Sequence, residues 1–301
     1  MLHTMSSSEY LNYEGGQFSK SRGIGVFGND AQNTGIPADV WRFYIFYNRP
    51  ETSDFTFTWD DFQEKTNGEL IGNLANLVNR TLTFLYKNFE GEVVPVEESA
   101  MDASWQSFWQ DGGGIEKEIT DHLEFAQLRE AFRKVFHISS LGNRAFQAAE
   151  PWKTKNSDPD NTKLLLSHLV YLLRDLSVMI SPYIPETGSR IASFIGAEEA
   201  TWKDLGTFGG LSRVSKPQIL FSQMSDELVT DMRERFSGSQ AERLEREGQA
   251  GAAGGTAAAG AGAADPAQDF AEKVDLRAAK ILSVERHPKA DKLYVEQIDD
   301  G

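Results

Sequence analysis

The chain has 301 residues, room for about two domains at the usual domain size, and its 40% hydrophobic content, with 19 Phe and 6 Trp, can fill a sizeable core. No run approaches the roughly 18 uninterrupted apolar residues of a membrane helix, and the opening MLHTMSSSEYLNYEGG lacks the basic start and apolar centre of a signal peptide, so the sequence reads as soluble and cytoplasmic, with no membrane partner. The absence of cysteine excludes disulfides and thiolate zinc sites, His3, His122, His137, His168 and His287 show no paired ligand spacing for a metal, and a net charge of −15 opposes a long basic surface while leaving room for a local basic groove.

In chain order, a Gly- and Ser-containing loop region leads into ADVWRFYIFY, where Val40, Phe43, Tyr44 and Tyr47 fall at i, i+3, i+4 and i+7 and predict a short amphipathic helix. From Asp60 to Phe89, Leu70, Ile71, Leu74, Leu77, Val78, Leu82 and Leu85 make a continuous stripe, which predicts a long helix with one buried face. A second long helix is expected from Ile115 to Ala149 and a third from Asn161 to Ile180, with GlyGlu at 91 and 92, the three glycines at 112 to 114, and Pro151, Pro159, Pro182 and Pro185 marking connections and helix edges. Three such helices in succession make the chain mainly α, an antiparallel helical bundle. After Phe236 the segment GQAGAAGGTAAAGAGAADPAQ offers no large apolar side chain to bury and reads as a tether. The last residues, DFAEKVDLRAAKILSVERHPKADKLYVEQIDDG, return to short β-branched runs around a Pro-containing turn, the first strands of a small β domain that Gly301 leaves unclosed. The chain is therefore expected to be a portion of a longer protein at both ends.

Residues 23 to 28 spell Gly-Ile-Gly-Val-Phe-Gly, a literal dinucleotide-binding pattern, but the polar SKSR precedes it where a buried strand is required, and Asn48 stands where an acidic residue is required. Glycine for a flexible loop is the better reading. The neighbouring GGQFSKSRG is more informative. Two serines flank a lysine between glycines, which describes either a solvated basic turn or a mobile lysine able to reach nucleotide phosphates as pyrophosphate departs.

Gln17-Phe18-Ser19-Lys20-Ser21 resembles the KMSKS signature of class I aminoacyl-tRNA synthetases, and the run from EYLNYEGG to FYNRPE resembles the methionyl-tRNA synthetase family. NLVNRTLTFLYKNFEGEVVP is similar to that family's anticodon-binding helix, AAEPWK to its anticodon-stacking segment, and KVDLRAAKILSVERHPKADKLYVEQID to its appended tRNA-binding OB-fold, all in family order. The resemblance implies four parts: the end of a class I catalytic domain over 1–58, an anticodon-binding helical bundle over 59–236, an Ala/Gly-rich linker over 237–269, and the start of a truncated OB-fold over 270–301. It makes Phe18, Ser19, Lys20 and Ser21 ATP-binding residues, with Lys20 catalytic, although Gln17 and Phe18 replace Lys and Met of the pattern. It also implies a methionine–tRNA ligase using ATP with Mg2+, methionine and a methionine tRNA, and a homodimer through the C-terminal domain. The family's HIGH-type ATP motif, methionine pocket and metal-binding insertion are not in these residues, so this chain alone is expected to form no adenylate. The rival reading is a stand-alone, non-catalytic tRNA-binding module.

On the long helix, Glu69, Asn73, Asn76, Arg80, Thr83 and Lys87 recur every three or four positions and form one polar row, which is either a solvated face or a base-reading one. The resemblance puts Asn76 and Arg80 at anticodon-reading positions. Trp152, after Pro151, either caps the bundle or exposes a ring for an unstacked base, and the resemblance makes it the stacking residue. Trp41, Trp59, Trp105, Trp109 and Trp202 read as packing residues. In the terminal segment Lys280, Arg286, Lys289 and Lys292 interleave with apolar positions and would follow an RNA backbone on an OB-fold face.

Overall fold

Apolar spacings of three and four dictate helices wherever they run long enough, and in the computed structural model they build a bundle. The structure describes residues 6–14, 16–19, 21–238, 242, 280–286 and 294–299. The chain divides into two compact units, residues 1–248 and 249–301. The first begins with a small sheet in which β1 (Leu11–Tyr13) pairs antiparallel with β2 (Gly16–Gln17) and parallel with β3 (Phe55–Phe57), Tyr13 lying opposite both Gly16 and Phe57. Helices α1 (Gly28–Ala31) and α2 (Ala38–Tyr47) fall between the strands.

The long stripe folds as one helical rod in three segments: α3 (Trp59–Lys65), a π-helical stretch over Thr66–Ala75, and α4 (Asn76–Phe89). Thr58 caps it, its side chain accepting from the Asp61 backbone N–H. Helices α5 (Ala103–Glu124) and α6 (Leu128–Ala149) then form a hairpin, α7 (Pro151–Thr154) is a single turn, and α8 (Pro159–Ile180) runs through the centre of the bundle. From Leu165 to Ile180 almost every α8 residue is buried, because α4, α6 and a further helix, α9 (Pro185–Ile195), pack around it. An extended strap follows. Val93 N–H donates to Ser212 O, Val214 N–H to Gly91 O, and Arg190 donates to the carbonyls of Ile219 and Leu220, before α10 (Asp226–Arg235) docks on α3. Gly91 is required here, since its φ is +75° and a Cβ would lie 2.5 Å from Val214 O.

The expected helix over Ile115–Ala149 is two helices, and the expected connection at Gly112–Gly114 is the middle of α5. The chain turns instead at Phe125–Gln127, where Ala126 takes φ +56° with neither Gly nor Pro to announce it. Tertiary packing overrides the glycines' weak helix propensity: Asp102 caps α5, Ile119 is fully buried, and α5 lies along α6. Helices α9 and α10 were not foreseen as elements; Pro185 occupies the first turn of α9, and Ser225 caps α10.

The first 58 residues share the bundle's core. Trp59, fully buried, donates its indole N–H to Tyr13 Oη at 3.0 Å and stacks on Phe236, while Tyr44 donates to Asp61 at 2.7 Å. Asp39 at the start of α2 accepts from both Thr187 N–H and Thr187 Oγ1 at 2.7 Å, tying α2 to α9. In α8 the buried Arg174 forks onto Asp175 and reaches Asp204 O and Thr207 O, and Asp175 accepts from Gly206 N–H, so one ion pair holds the 204–207 loop. The second unit contributes β4 (Lys280–Arg286) antiparallel to β5 (Tyr294–Asp299), Lys280 opposite Asp299 and Arg286 opposite Tyr294, with a bulge between Ile281 and Ser283. The tether expected over 237–269 lies outside the described residues apart from 237, 238 and 242.

Two outcomes follow from this packing. A Cβ added at Gly112, Gly113 or Gly114 meets no atom within 4 Å, so Gly113→Ala should stabilise the chain by about 0.5–1 kcal/mol, measured as a raised urea midpoint. Burial, and next the charge of Asp175, raise the Glu116 carboxyl to about 7. Between about pH 4.5 and 7 the fold therefore binds a proton that the unfolded chain releases, and this contribution to stability is lost as pH rises through that window. Glu116→Gln should flatten the fall in urea midpoint between pH 5 and pH 8; an unchanged slope would remove Glu116 as its source.

Candidate nucleic-acid interface

Asn76 opens α4 and Arg80 follows one turn later, so both face the same neighbour, the C-terminal half of α6. There α6 offers Asn143, Phe146 and Gln147 at i, i+3 and i+4. Asn76 Nδ2 donates to Asn143 Oδ1 at 3.2 Å, and Asn143 Nδ2 donates in turn to Asn73 O at 2.9 Å and Asn73 Oδ1 at 3.2 Å. Arg80 donates to Gln147 Oε1 at 3.1 Å and lays its guanidinium 4.0 Å above the Phe146 ring centroid. Burial draws its basicity down from the usual arginine value.

Trp152 reaches the same place from the other side. Glu150 adopts a left-handed conformation, φ +45°, which ends α6 and lets Pro151 start α7, turning the next side chain back toward α6. The Trp152 ring lies 6.3 Å from Phe146, and it remains 41% exposed, whereas Trp59 is fully buried and Trp41, Trp105, Trp109 and Trp202 are packed against the core. Phe146 is itself buried and held edge-on by Phe84. Asn76, Arg80 and Trp152 thus come together around one ring, as a half-exposed indole, a guanidinium lying flat and an amide at the rim.

Of the rest of the polar row, Asn73 stays linked to Glu69, to which its Nδ2 donates at 3.2 Å, and through Asn143 to Asn76. Asn73 turns into the α6 interface, donating to Phe136 O at 3.0 Å and Ser140 Oγ at 2.9 Å, and Thr83 bonds back to Asn79 within α4. The i→i+5 pairing of the preceding π-helical stretch interrupts the 3.6-residue period on which a single row depends. Beyond Trp152, Lys153 pairs with Glu150 and Lys155 donates to Asn88 Oδ1 at 2.9 Å, giving this end of the bundle two amines despite the acidic net charge. Sequence reasoning missed Asn143, Phe146 and Gln147; the signal available was two amide side chains four apart on the helix that leads into Trp152.

The serine-lysine loop is closed by a two-way backbone bridge between Ser19 and Ile24, each N–H donating to the other's carbonyl at 3.0 Å. Ser19 Oγ lies 3.4 Å from Ser21 Oγ and accepts from Arg22 Nε at 3.2 Å. Phe18 points inward against Tyr13 and Phe27, and Gly25 makes room for it, because a Cβ there would sit 2.0 Å from the Phe18 ring. Lys20 lies outside the described residues, as do Lys289 and Lys292, while Lys280 and Arg286 are the end residues of β4. No group of three or more His, Cys, Asp or Glu side chains able to hold a metal occurs among the described residues. No described helix is long and apolar enough to cross a membrane.

A helical bundle that gathers an amide, a guanidinium and an exposed indole at one end, behind a serine-lysine loop, has the make-up of an anticodon-binding module joined to the end of a class I synthetase domain. Comparison with known proteins agrees with it. The family model described as tRNA synthetases class I (M) matches residues 1–82, and the anticodon binding domain of methionyl tRNA ligase matches residues 103–241. The methionine–tRNA ligases of Treponema denticola and Borrelia turicatae are 43% and 44% identical to it across the whole of this chain, which spans 42% and 39% of their lengths. The apo structure of Mycobacterium tuberculosis methionyl-tRNA synthetase superposes on 72% of this chain and 42% of that one with a TM-score of 0.62 at 16% identity, a likeness of fold. The chain belongs to the methionyl-tRNA synthetase family and spans about two fifths of the length of the curated relatives it matches.

Because Arg80 owes its geometry to a ring below and an acceptor beside it, Phe146→Leu should release the guanidinium while still filling the core. Spectra should be unchanged and the unfolding free energy should stay within about 1.5 kcal/mol of the parent, and the loss should appear in RNA binding. A variant that loses the fold in proportion to its binding would make Phe146 a core residue only.

Proposed function

We propose that this chain supplies the signature loop and the anticodon-reading bundle of a methionine–tRNA ligase. The reaction joins methionine and ATP, entering with Mg2+, to give methionyl-adenylate and pyrophosphate; the activated carbonyl then passes to the terminal adenosine ribose of a methionine tRNA. A cytoplasmic location follows from that work. The observation that carries the reading is the convergence of Asn76, Arg80 and Trp152 around Phe146.

An anticodon loop presents unstacked bases, and such bases are read by stacking and by hydrogen bonds to their edges. Trp152 offers the exposed face on which one base lies, and Arg80 and Asn76 offer a fork and a mixed donor-acceptor amide for the base edges. These groups are already held by Gln147, Phe146 and Asn143, so little rotamer freedom is lost when RNA arrives. Lys153 and Lys155 stand beside Trp152 for the neighbouring phosphates. In the signature loop, Lys20 places positive charge where the departing pyrophosphate gains negative charge, with Phe18 anchoring the loop and Ser19 and Ser21 shaping it around the nucleotide. Lys280, Arg286, Lys289 and Lys292 add affinity for the RNA backbone from the second unit, which also pairs two subunits.

The anticodon reading is tested with stem-loop RNAs. The chain should prefer the methionine anticodon over a changed one; affinity should fall with salt while the preference persists, because the preference rests on short-range contacts. Trp152→Ala should cost about 1–3 kcal/mol of cognate affinity with the fold intact. Equal binding of both RNAs would return these residues to packing roles. With this segment in a full-length ligase, Lys20→Ala should slow ATP–pyrophosphate exchange far more than it weakens methionine binding, and an unchanged exchange rate would sink the role given to Lys20.

A further inference from the structure

A cleft of about 1050 Å³ lies between the first half of α5, the last turns of α6 and the first half of α8. Its walls are Trp105 and Phe108 from α5, Ala145 and Ala148 from α6, and Leu164 and Leu165 from α8. The volume is that of a site for a small organic molecule. None of Asn76, Arg80 and Trp152 lines it, and neither do Asn143 and Gln147, which hold the first two: α6 turns those two residues toward α4 and its alanines toward the cleft.

His168 also lines this cleft, with 1% of its surface exposed. Its ring stacks on Trp105 with centroids 3.9 Å apart and planes within 10°, and its Nδ1 accepts the indole N–H of Trp109 at 2.9 Å. Indole nitrogen can only donate, so Nδ1 carries no proton and the proton of the neutral ring sits on Nε2. Burial pushes the imidazole down to about 4, which keeps the ring neutral at pH 7. The Nε2 N–H finds no acceptor among the described residues, and it is not one of the fully buried polar atoms left unpartnered, so it opens onto the cleft. Such a donor is met by whatever occupies the space it lines.

The polar groups of the lining restrict the occupant further. Glu97, Asp102 and Asp158 line the cleft and no Lys or Arg does. Asp102 Oδ1 is spent on capping α5, and Asp158 is engaged with Asn161, while the exposed Glu97 accepts from Ala100 N–H through its backbone carbonyl and its carboxylate has no hydrogen-bond partner among the described residues. Anions, including phosphates and an RNA backbone, are therefore disfavoured, and groups that donate hydrogen bonds are favoured. An aliphatic amine would satisfy the carboxylates and leave His168 unmet, and a plain hydrocarbon ring would satisfy neither.

We propose that the α5–α6–α8 cleft binds an uncharged amino-substituted nitrogen heterocycle, a ring nitrogen accepting from His168 Nε2 and the exocyclic amine donating to the carboxylates of the rim. His168 covers one face of Trp105 and Phe108 stands at 78° to it, so the ligand ring lies against a single aromatic wall. This site is independent of anticodon reading and of the serine-lysine loop, none of whose residues line it.

Titration calorimetry of the chain with adenine, adenosine, AMP and benzylamine tests the assignment. Adenine and adenosine should bind saturably, AMP at least tenfold more weakly because of the carboxylates, and benzylamine at least tenfold more weakly for want of an acceptor. His168→Phe keeps the stack on Trp105 and removes the N–H, and should weaken adenine about tenfold. Ala148→Trp, at an exposed position of α6, fills the cleft without touching the core and should abolish binding even where His168→Phe proves unstable. No adenine binding at 1 mM, equal binding of AMP and adenosine, equal binding of benzylamine and adenine, or binding untouched by Ala148→Trp would each overturn it.

Discussion

Helices α4, α6 and α8 meet at Gly142, where a Cβ would come within 2.7 Å of the side chains of both Leu77 and Leu172. That closeness sets what the neighbouring residues can do. With the helix axes drawn together at Gly142, the adjacent Asn143 can bridge to the Asn73 backbone carbonyl, and one turn further on Gln147 reaches Arg80. A larger residue at 142 would push the helices apart, and hydrogen bonds of 2.9 to 3.2 Å have little slack before they are lost to water. The seam between α4 and α6 is polar at its rim because it is tightly packed one layer down, where Leu77, Leu82 and Leu85 are fully buried.

Most of the helical content was legible because it is written in one periodicity. The stripe from Leu70 to Leu85 and the leucines of α8 lie inside the predicted helices, and α8 begins within two residues of its expected start. What misled was local chemistry that packing overrode. Three glycines in α5 look like a turn, yet nothing crowds them and the helix continues through; Phe125–Gln127 looks unremarkable and is the turn. For the site, the residues alone offered a six-membered polar row and a Trp with two readings, and it was the family resemblance that singled out Asn76, Arg80 and Trp152. Phe146, the ring that joins Arg80 to Trp152, could not be singled out: a Phe on the apolar face of an amphipathic helix reads as core, and it is core on one side. Its second role depends on which neighbours arrive, which only the fold decides.

The acidic balance of the chain makes sense against this arrangement. Under the proposed anticodon-reading role, a net charge of −15 gives little long-range attraction to phosphate, and recognition would rest on contacts that act over a few ångströms. Stacking and edge hydrogen bonds are of that kind, and they discriminate between bases where phosphate contacts do not. Preorganisation then matters more than charge. Arg80 sits over a ring and beside an acceptor before any RNA is present, and Asn76 is fixed by an amide that is itself fixed by the backbone.

The same logic connects the two ends of the first unit. Phe18 of the serine-lysine loop packs on Tyr13, Tyr13 accepts the indole N–H of Trp59, and Trp59 opens the rod that continues into Asn76 and Arg80. The first links are buried or partly buried aromatic contacts and the last is a continuous helical rod, so together they set the orientation of one end against the other. A rod of this kind fixes where the Asn76–Arg80 end of the bundle stands relative to the loop, in the way a ruler does.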